Sequence, residues 1–433
     1  MRLKNKNVLV YGLGKSGRAV INVLRENGAL VSFYDDNIDF FGYVGFEKNP
    51  FGKIFDFVVV SPGVKCIGNK LLEDFKRRNI PILSELDFGF LLCKGRVIGI
   101  TGTNGKTTVS MLTHKILKTA GYDCVLCGNI GLPLSMVAQK TTRKTVVVCE
   151  VSNFQLELSH FFRANIACVT NLKPDHIDRH GSFEEYRRVK SKICQNMKWT
   201  DKLILNFDDE EAKHMIFHKK FEYFSKMILQ KGAHVKNDFV YHSRKKLFHI
   251  NNIKLLGEKN LENVLASVAI CSNFKVKKQD YEKAISSFVP ASHRMEVFGQ
   301  IGGVTFVDDS KATNVSSTVA CVLAFKDKSI ILLLGGQGKD ISYDEIFTCG
   351  VNYKKIVCFG QEAENIAKTA KKYKCSYETF SCLKDAVLFA SNISKKGDFV
   401  LLSPACSSFD EFESYAERGE KFKEFVLEFV NEK

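Results

Sequence analysis

Short apolar runs recur along the chain. Each ends in a glycine-bearing turn and gives way to a stretch whose apolar positions fall three or four residues apart. Val8-Leu9-Val10-Tyr11 leads into Gly12-Leu13-Gly14-Lys15-Ser16-Gly17, followed by a helical pattern over 18–27 that Gly28 closes. Residues 30–36 and 56–63 repeat the strand pattern. The alternation restarts at 96–102, with a helix expected over 109–121 and strands over 145–150, 166–171 and 202–206. Apolar runs without polar alternation predict strands buried on both faces of a parallel sheet. Residues 207–256 differ: Lys, His and Phe alternate over short stretches, which predicts short antiparallel strands. A helix follows from about Asn260. Beyond Pro290, runs at 304–310, 329–336, 355–360 and 399–405 predict a further α/β unit, closed by a charged amphipathic helix over 414–433. The pattern divides into three α/β domains, 1–89, 90–290 and 291–433.

Composition narrows the class. At 433 residues, 45% apolar and 26% charged, the chain has enough apolar surface for several cores. No apolar run reaches the roughly 18 residues of a membrane helix, and the polar start running straight into a strand predicts no secretory signal. The 14 cysteines are scattered without a repeating spacing, as in a reduced cytoplasmic protein. Cys124 and Cys127 form a C-x-x-C inside an apolar stretch rather than at a helix start, so neither a redox pair nor, without a second such pair, a zinc site is expected. The net charge of +15 fits anionic substrates. Its lysines are spread along the whole chain without an arginine-rich run, so no nucleic-acid partner is expected.

Candidate chemistry sits where strands end. Gly99-Ile100-Thr101-Gly102-Thr103-Asn104-Gly105-Lys106-Thr107-Thr108 follows an apolar run and opens a helix. That order aims backbone N–H groups and the positive helix end at an anion. Gly102 and Gly105 let the backbone curl round phosphates, with Thr103, Asn104 and Thr108 in the same cradle. Lys106 would meet the outer phosphates and the Thr107 hydroxyl would ligate Mg²⁺. The glycine spacing departs from the common P-loop, because Ile100 stands where its first glycine would be. Glu150 ends a neighbouring run and is the expected carboxylate for the same ion. Asn171–Gly181 follows the next strand and gathers Asp175, His176, Asp178 and Arg179, where an imidazole could ligate metal. Gly12, Gly14 and Gly17 with Asp35, 18 residues on, match a dinucleotide fingerprint, although such a turn holds any diphosphate. In the last domain, Asp309–Asn314, Gly335–Lys339 and Ser403–Ser408 again follow strands, with His293-Arg294 ahead of them.

These residues resemble the Mur ligase family over nearly the whole chain. The run 99–108 is common to several of its members and to folylpolyglutamate synthases. Residues 128–131, 150–157, 175–190, 308–314 and 401–412 resemble the branch that adds D-glutamate. The resemblance implies a Rossmann-like UDP-binding domain, a central P-loop-type ATPase domain with a mostly parallel sheet, and a C-terminal Rossmann-like domain. It implies an ATP-dependent ligase that forms an acyl phosphate on UDP-N-acetylmuramoyl-L-alanine and couples it to D-glutamate for peptidoglycan, in the bacterial cytoplasm and as a monomer. It further implies two Mg²⁺ sites. Thr107 and Glu150 would hold one; His176 and an N-carboxylated Lys190 would hold the other. Asn263, Arg294 and Asp309 match adenosine-side contacts, and Lys311 a functional lysine. Thr313, Lys339, Ser408 and Tyr415 match positions that hold D-glutamate. Gly14, Lys15, Ser16, Asp35, Ser61, Pro62, Gly63, Asn129 and His176 match the UDP-substrate side. The chain departs from the family pattern in places: Tyr415 replaces a usual Phe, Asn153 a Ser and Lys259 a His, and Asp36-Asn37 lacks the basic residue expected after Asp35. The other readings are a sibling ligase with another amino acid, a folylpolyglutamate synthase, a nicotinamide-dependent oxidoreductase and a nucleic-acid-stimulated ATPase. The oxidoreductase leaves Lys106, Glu150 and His176 without a role.

Overall fold

The structure, a computed structural model, describes residues 1–37, 44–215, 220–339 and 341–431, without the side chains of residues 178, 430 and 431. Its strands form three sheets. The first contains β1 (Asn7–Tyr11), β2 (Leu30–Tyr34), β3 (Phe57–Val60) and β4 (Ile82–Ser84) in the order β2-β1-β3-β4, all parallel. The strand order reverses between β1 and β3. There the Gly12–Gly17 turn and the Ser61–Gly63 turn meet, at the crevice where open α/β sheets bind ligands. A Cβ on Gly17 would lie 1.9 Å from the Gly12 carbonyl oxygen, so only glycine allows this close approach.

The second sheet has nine strands: β5 (Arg96–Thr101), β6 (Cys124–Gly128), β7 (Val146–Glu150), β8 (Ile166–Val169), β9 (Lys202–Asn206), β10 (Phe221–Ser225), β11 (Ala233–Lys236), β12 (Phe239–His242) and β13 (Lys245–His249). Their order is β13-β12-β11-β10-β9-β8-β5-β7-β6. Ile98, Ile100, Val147, Val148, Ile166 and Val169 are all fully buried, which explains the unbroken apolar runs. The expected antiparallel stretch over 207–256 needs correction. β10 pairs parallel with β9, and β11 parallel with β10; only β11, β12 and β13 are antiparallel. Residues 216–219 of that stretch lie outside the described residues. Cys124 and Cys127 both lie in β6, away from any helix start.

The third sheet contains β14 (Glu296–Ile301), β15 (Val304–Asp308), β16 (Ser329–Gly335), β17 (Tyr353–Phe359), β18 (Tyr377–Phe380) and β19 (Asp398–Ala405), ordered β14-β15-β19-β16-β17-β18. All pairs are parallel except β14 with β15, a hairpin turned by Gly302 and Gly303 at φ 58° and 79°.

The chain forms two compact units. One comprises Met1–Pro174, Arg179–Lys254 and Glu262–Phe288, and so holds the first two sheets. The other comprises Asp175–Asp178, Leu255–Leu261 and Val289–Lys433. The division expected at residue 89 falls inside the helix Glu85–Leu92, whose carboxylates grip the second sheet's loops. Buried Asp87 accepts from the Ser159 hydroxyl and from the amides of His160, Phe161 and Phe162, and buried Glu85 accepts from the amide and hydroxyl of Ser135. Asp87 is thereby satisfied, whereas Glu85 Oε2 has no hydrogen-bond partner among the described residues and burial pushes the Glu85 carboxyl up.

Candidate active site

In the first unit, the loop after β5 wraps into the helix Lys106–Thr119. Gly105 caps that helix in the left-handed region (φ 85°), and a Cβ there would stand 2.3 Å from Asn263 Oδ1. The fold therefore places Asn263, matched by resemblance to the adenosine side, against this loop. The loop is braced from β8's end: the Thr103 amide donates to the Asn171 carbonyl (2.9 Å), the Asn104 amide to Asn171 Oδ1 (2.8 Å), and the Thr170 hydroxyl to the Asn104 carbonyl (2.5 Å). Tyr186 reaches the Thr103 hydroxyl at 2.9 Å. Nothing in the sequence singles out Tyr186. Lys106 Nζ donates to the carbonyls of Gly102 (2.9 Å) and Thr103 (2.7 Å). Lys190, with 1% of its surface exposed, donates to the same Gly102 carbonyl at 2.9 Å. Two ammonium groups thus converge on one loop at a positive helix end, a setting that favours a polyanion.

Glu150 ends β7, whose register sets it beside Ile100 of β5. It is buried. Oε1 accepts from Asn129 Nδ2 at 2.8 Å, and Oε2 has no hydrogen-bond partner among the described residues. An unsatisfied buried carboxylate oxygen beside the buried Thr107 hydroxyl's helix is a donor set that suits a hard cation such as Mg²⁺. Glu150→Gln keeps the shape and the Asn129 contact but removes the charge. The Mg²⁺ concentration for half-maximal turnover should rise on the order of tenfold, read by Mg²⁺ titration. An unshifted titration would remove Glu150 from the metal site.

A cavity of about 710 Å³ opens between the first two sheets. It is lined by Gly14, Lys15, Ser16, Asp35, Ser61, Pro62 and Gly63 from one side and by Asn129, Ser152 and Phe154 from the other. Asp35 accepts from the Leu13 amide at 2.7 Å. Asp36, where a basic residue was expected, accepts instead from the hydroxyls of Tyr11 (2.5 Å) and Tyr34 (3.0 Å), and burial with that carboxylate pushes the Tyr11 phenol well up. Lys15 supplies a cation on this wall, its Nζ donating to the Gly131 carbonyl at 2.5 Å. Arg179 fixes the Ser61–Val64 turn. It pairs with Glu157 through two nitrogens (2.6 and 3.0 Å), stacks over Phe154 at 4.4 Å, and donates to the Pro62 and Val64 carbonyls (3.2 and 2.9 Å). Its place beside His176 in the sequence hinted at a role, but nothing there indicated its partners.

In the second unit, the loops after β15, β16 and β19 gather Lys311, Thr313, Lys339 and Ser408, with Tyr415 opening the helix Tyr415–Asn431. Lys311 Nζ lies 3.2 Å from the Tyr415 hydroxyl, and the Thr313 amide donates to the Lys311 carbonyl (2.9 Å). Asp309 accepts from the Ser403 hydroxyl (2.8 Å) and the Met295 amide (3.1 Å). Burial pushes its carboxyl up to about 6, opposed by Ser403 and the Arg294 charge. The segment 175–178 also belongs to this unit: Asp175 meets Lys339 and Asn314, and His176 holds a left-handed φ of 53°.

Residues 100–271 match the Mur ligase middle domain, and 293–406 the Mur ligase glutamate ligase domain. The UDP-N-acetylmuramoylalanine–D-glutamate ligase of Caldanaerobacter subterraneus subsp. tengcongensis is 36% identical over 449 residues, covering 99% of both chains. That of Streptococcus pneumoniae strain Taiwan19F-14 is 34% identical over 450 residues, covering 99% of this chain and 98% of the relative. The chain belongs to the Mur ligase family. Solved Mur ligases share its three-domain α/β fold. The MurF ligase of Thermotoga maritima, in complex with ADP, superposes with a TM-score of 0.63 at 17% identity, covering 99% of this chain and 96% of that one. MurC of Thermotoga maritima superposes with a TM-score of 0.62 at 16% identity, covering 98% and 100%.

Two features of this Mur ligase were not legible beforehand. Arg418 is fully buried and has no ion pair among the described residues. Its guanidinium donates to the Ser310 hydroxyl (3.0 Å) and carbonyl (2.9 Å) and to the carbonyls of Cys406 (3.1 Å) and Ser407 (3.0 Å), tying two of the site loops together. His293, Glu296 and Asp308 present ligand atoms within 4.8 Å of one another. The Lys423 ammonium already lies 3.0 Å from Glu296 and 3.6 Å from Asp308, so this acidic group carries its own counter-cation.

Proposed function

We propose that this Mur ligase uses ATP to join D-glutamate to the L-alanine carboxylate of UDP-N-acetylmuramoyl-L-alanine, as a cytoplasmic bacterial monomer with domain divisions near 89 and 290. The observation that carries the reading is the full-length likeness to ligases of that name, 36% identical over 99% of both chains. A carboxylate resists amines until it carries a good leaving group. The γ-phosphoryl group of ATP passes to the carboxylate oxygen, giving an acyl phosphate and ADP. The D-glutamate amine then attacks the carbonyl carbon, the C–O bond to phosphate breaks, and an amide forms with loss of the amine proton.

The chain's part is to position the reactants and balance their charge. Lys106, the cradle Gly102–Thr108 and the helix end hold the phosphates. Thr107 and Glu150 would hold one Mg²⁺, and His176 with N-carboxylated Lys190 the other; bound Mg²⁺ supplies neutralisation of phosphate charge. Asn263, Arg294 and Asp309 bind the adenosine side. The cavity lined by Gly14, Lys15, Ser16, Asp35 and Ser61–Gly63 takes the UDP moiety, and Asn129 orients the acceptor end. Thr313, Lys339, Ser408 and Tyr415 hold D-glutamate, with Lys311 braced on Tyr415. Phosphate release from the purified protein should require ATP, Mg²⁺, UDP-N-acetylmuramoyl-L-alanine and D-glutamate together. Equal turnover with L-lysine or meso-diaminopimelate in place of D-glutamate would reassign it to a sibling ligase, and stimulation by DNA alone would overturn the ligase reading.

A further inference from the structure

Asp175 and Lys339 face each other inside the second unit, Oδ1 to Nζ at 3.2 Å, their side chains only 8% and 10% exposed. Asn314 Nδ2, at the start of the helix Val315–Ala324, donates to Asp175 Oδ2 (3.3 Å), and His176 Nε2 lies 3.7 Å from the same oxygen. A buried ion pair contributes little net stability, since desolvating both charges offsets most of their attraction. This pair therefore needs a reason other than holding the fold.

Its geometry supplies one. An α-amino acid is a zwitterion whose ammonium and carboxylate sit on one carbon. A fixed lysine and carboxylate about 3 Å apart present the opposite dipole. The residues matched to D-glutamate so far are Thr313, Lys339, Ser408 and Tyr415, which offer a cation and hydroxyls. Such groups suit carboxylates and leave the ammonium without a counter-charge.

We propose that Asp175 binds the ammonium of D-glutamate while Lys339 binds the adjacent carboxylate. Without the amino acid, the two side chains satisfy each other. With it, each exchanges its partner for the opposite charge on the substrate, so no charge is left buried alone. Asp175 thereby selects amino acids over diacids of the same length and fixes the nitrogen that attacks. The assignment rests on the D-glutamate reading above.

The test compares Asp175→Asn with the wild type as full-length enzymes, measuring KM for D-glutamate and inhibition by glutarate and D-2-hydroxyglutarate, which lack the amine. KM for D-glutamate should rise about tenfold or more, as for loss of a charge-assisted hydrogen bond. Inhibition by both diacids should hold or tighten, and KM for ATP should stay unchanged. Parallel weakening of D-glutamate and the diacids, or an unchanged KM, would overturn the proposal. Asn314→Ser keeps a cap for the Ser317 amide at the start of the helix Val315–Ala324 but removes the amide that donates to Asp175; it should give the same split at a smaller factor, and parallel weakening there would overturn the proposal too. Failure of the underlying reading shows in the wild type, as no D-glutamate-dependent turnover. Failure of this proposal shows only in the variants.

Discussion

Lys106→Ala is expected to lower phosphate release by on the order of 10²-fold or more, with KM for D-glutamate little changed. The reason is positional. The lysine lies in the first turn of the helix Lys106–Thr119, and its Nζ is held over the loop by the Gly102 and Thr103 carbonyls. A charge fixed in advance need not reorganise when the phosphoryl group transfers, and the partly buried loop strengthens its field. The substitution removes the charge while leaving Gly105, Thr107 and the braces from Thr170 and Asn171 in place. Steady-state turnover checks this, with unfolding curves to show that the fold persists. Near-wild-type turnover would remove the phosphate loop from the mechanism.

Lys190→Ala should also lose on the order of 10²-fold, and added formate or acetate should restore part of the loss. An ammonium cannot ligate a cation, whereas an N-carboxylated lysine carries two anionic oxygens that can. The structure adds an electrostatic argument. Lys190 is buried, lies 4.7 Å from the centre of the Tyr186 ring, and shares the Gly102 carbonyl with Lys106. Two like charges on one acceptor repel each other; carboxylating Lys190 turns that repulsion into attraction. Small carboxylates entering the space left by the side chain would replace the missing oxygens. A fully active variant would refute the carbamate, and an impaired variant that no carboxylate rescues would assign Lys190 a role as a cation.

How much of this was legible beforehand varies from residue to residue. The turn over 99–108 is legible because its signal is local: a strand, two glycines in conformations other residues avoid, and a helix opening on Lys106-Thr107. Glu150 and the 171–181 loop were legible as strand ends, because parallel strands deliver their C-terminal ends to one edge. β14 was missed although Gly302-Gly303 marks a tight hairpin, because its own residues are only half buried and carry no apolar run. The parallel pairing of β10 and β11 is not legible because short alternating strands look alike in parallel and antiparallel pairs; the connections decide, and they lie outside the pattern. Asp36 looked like a missing cation until the structure showed Tyr11 and Tyr34 donating to it.

The chain read alone yields the α/β class, the Gly99–Thr108 turn that opens a helix, the strand ends that bear polar loops and the family. Each of these rests on local backbone preference or on hydrophobic periodicity, which a few neighbouring residues specify. Which distant groups meet is settled by packing: Lys190 with Gly102, 88 residues apart; Arg179 with Val64, 115 apart; Arg418 with Ser310, 108 apart; and Asp175 with Lys339, 164 apart. Those contacts depend on how helices and loops pack once the sheets have formed. No local spacing encodes them.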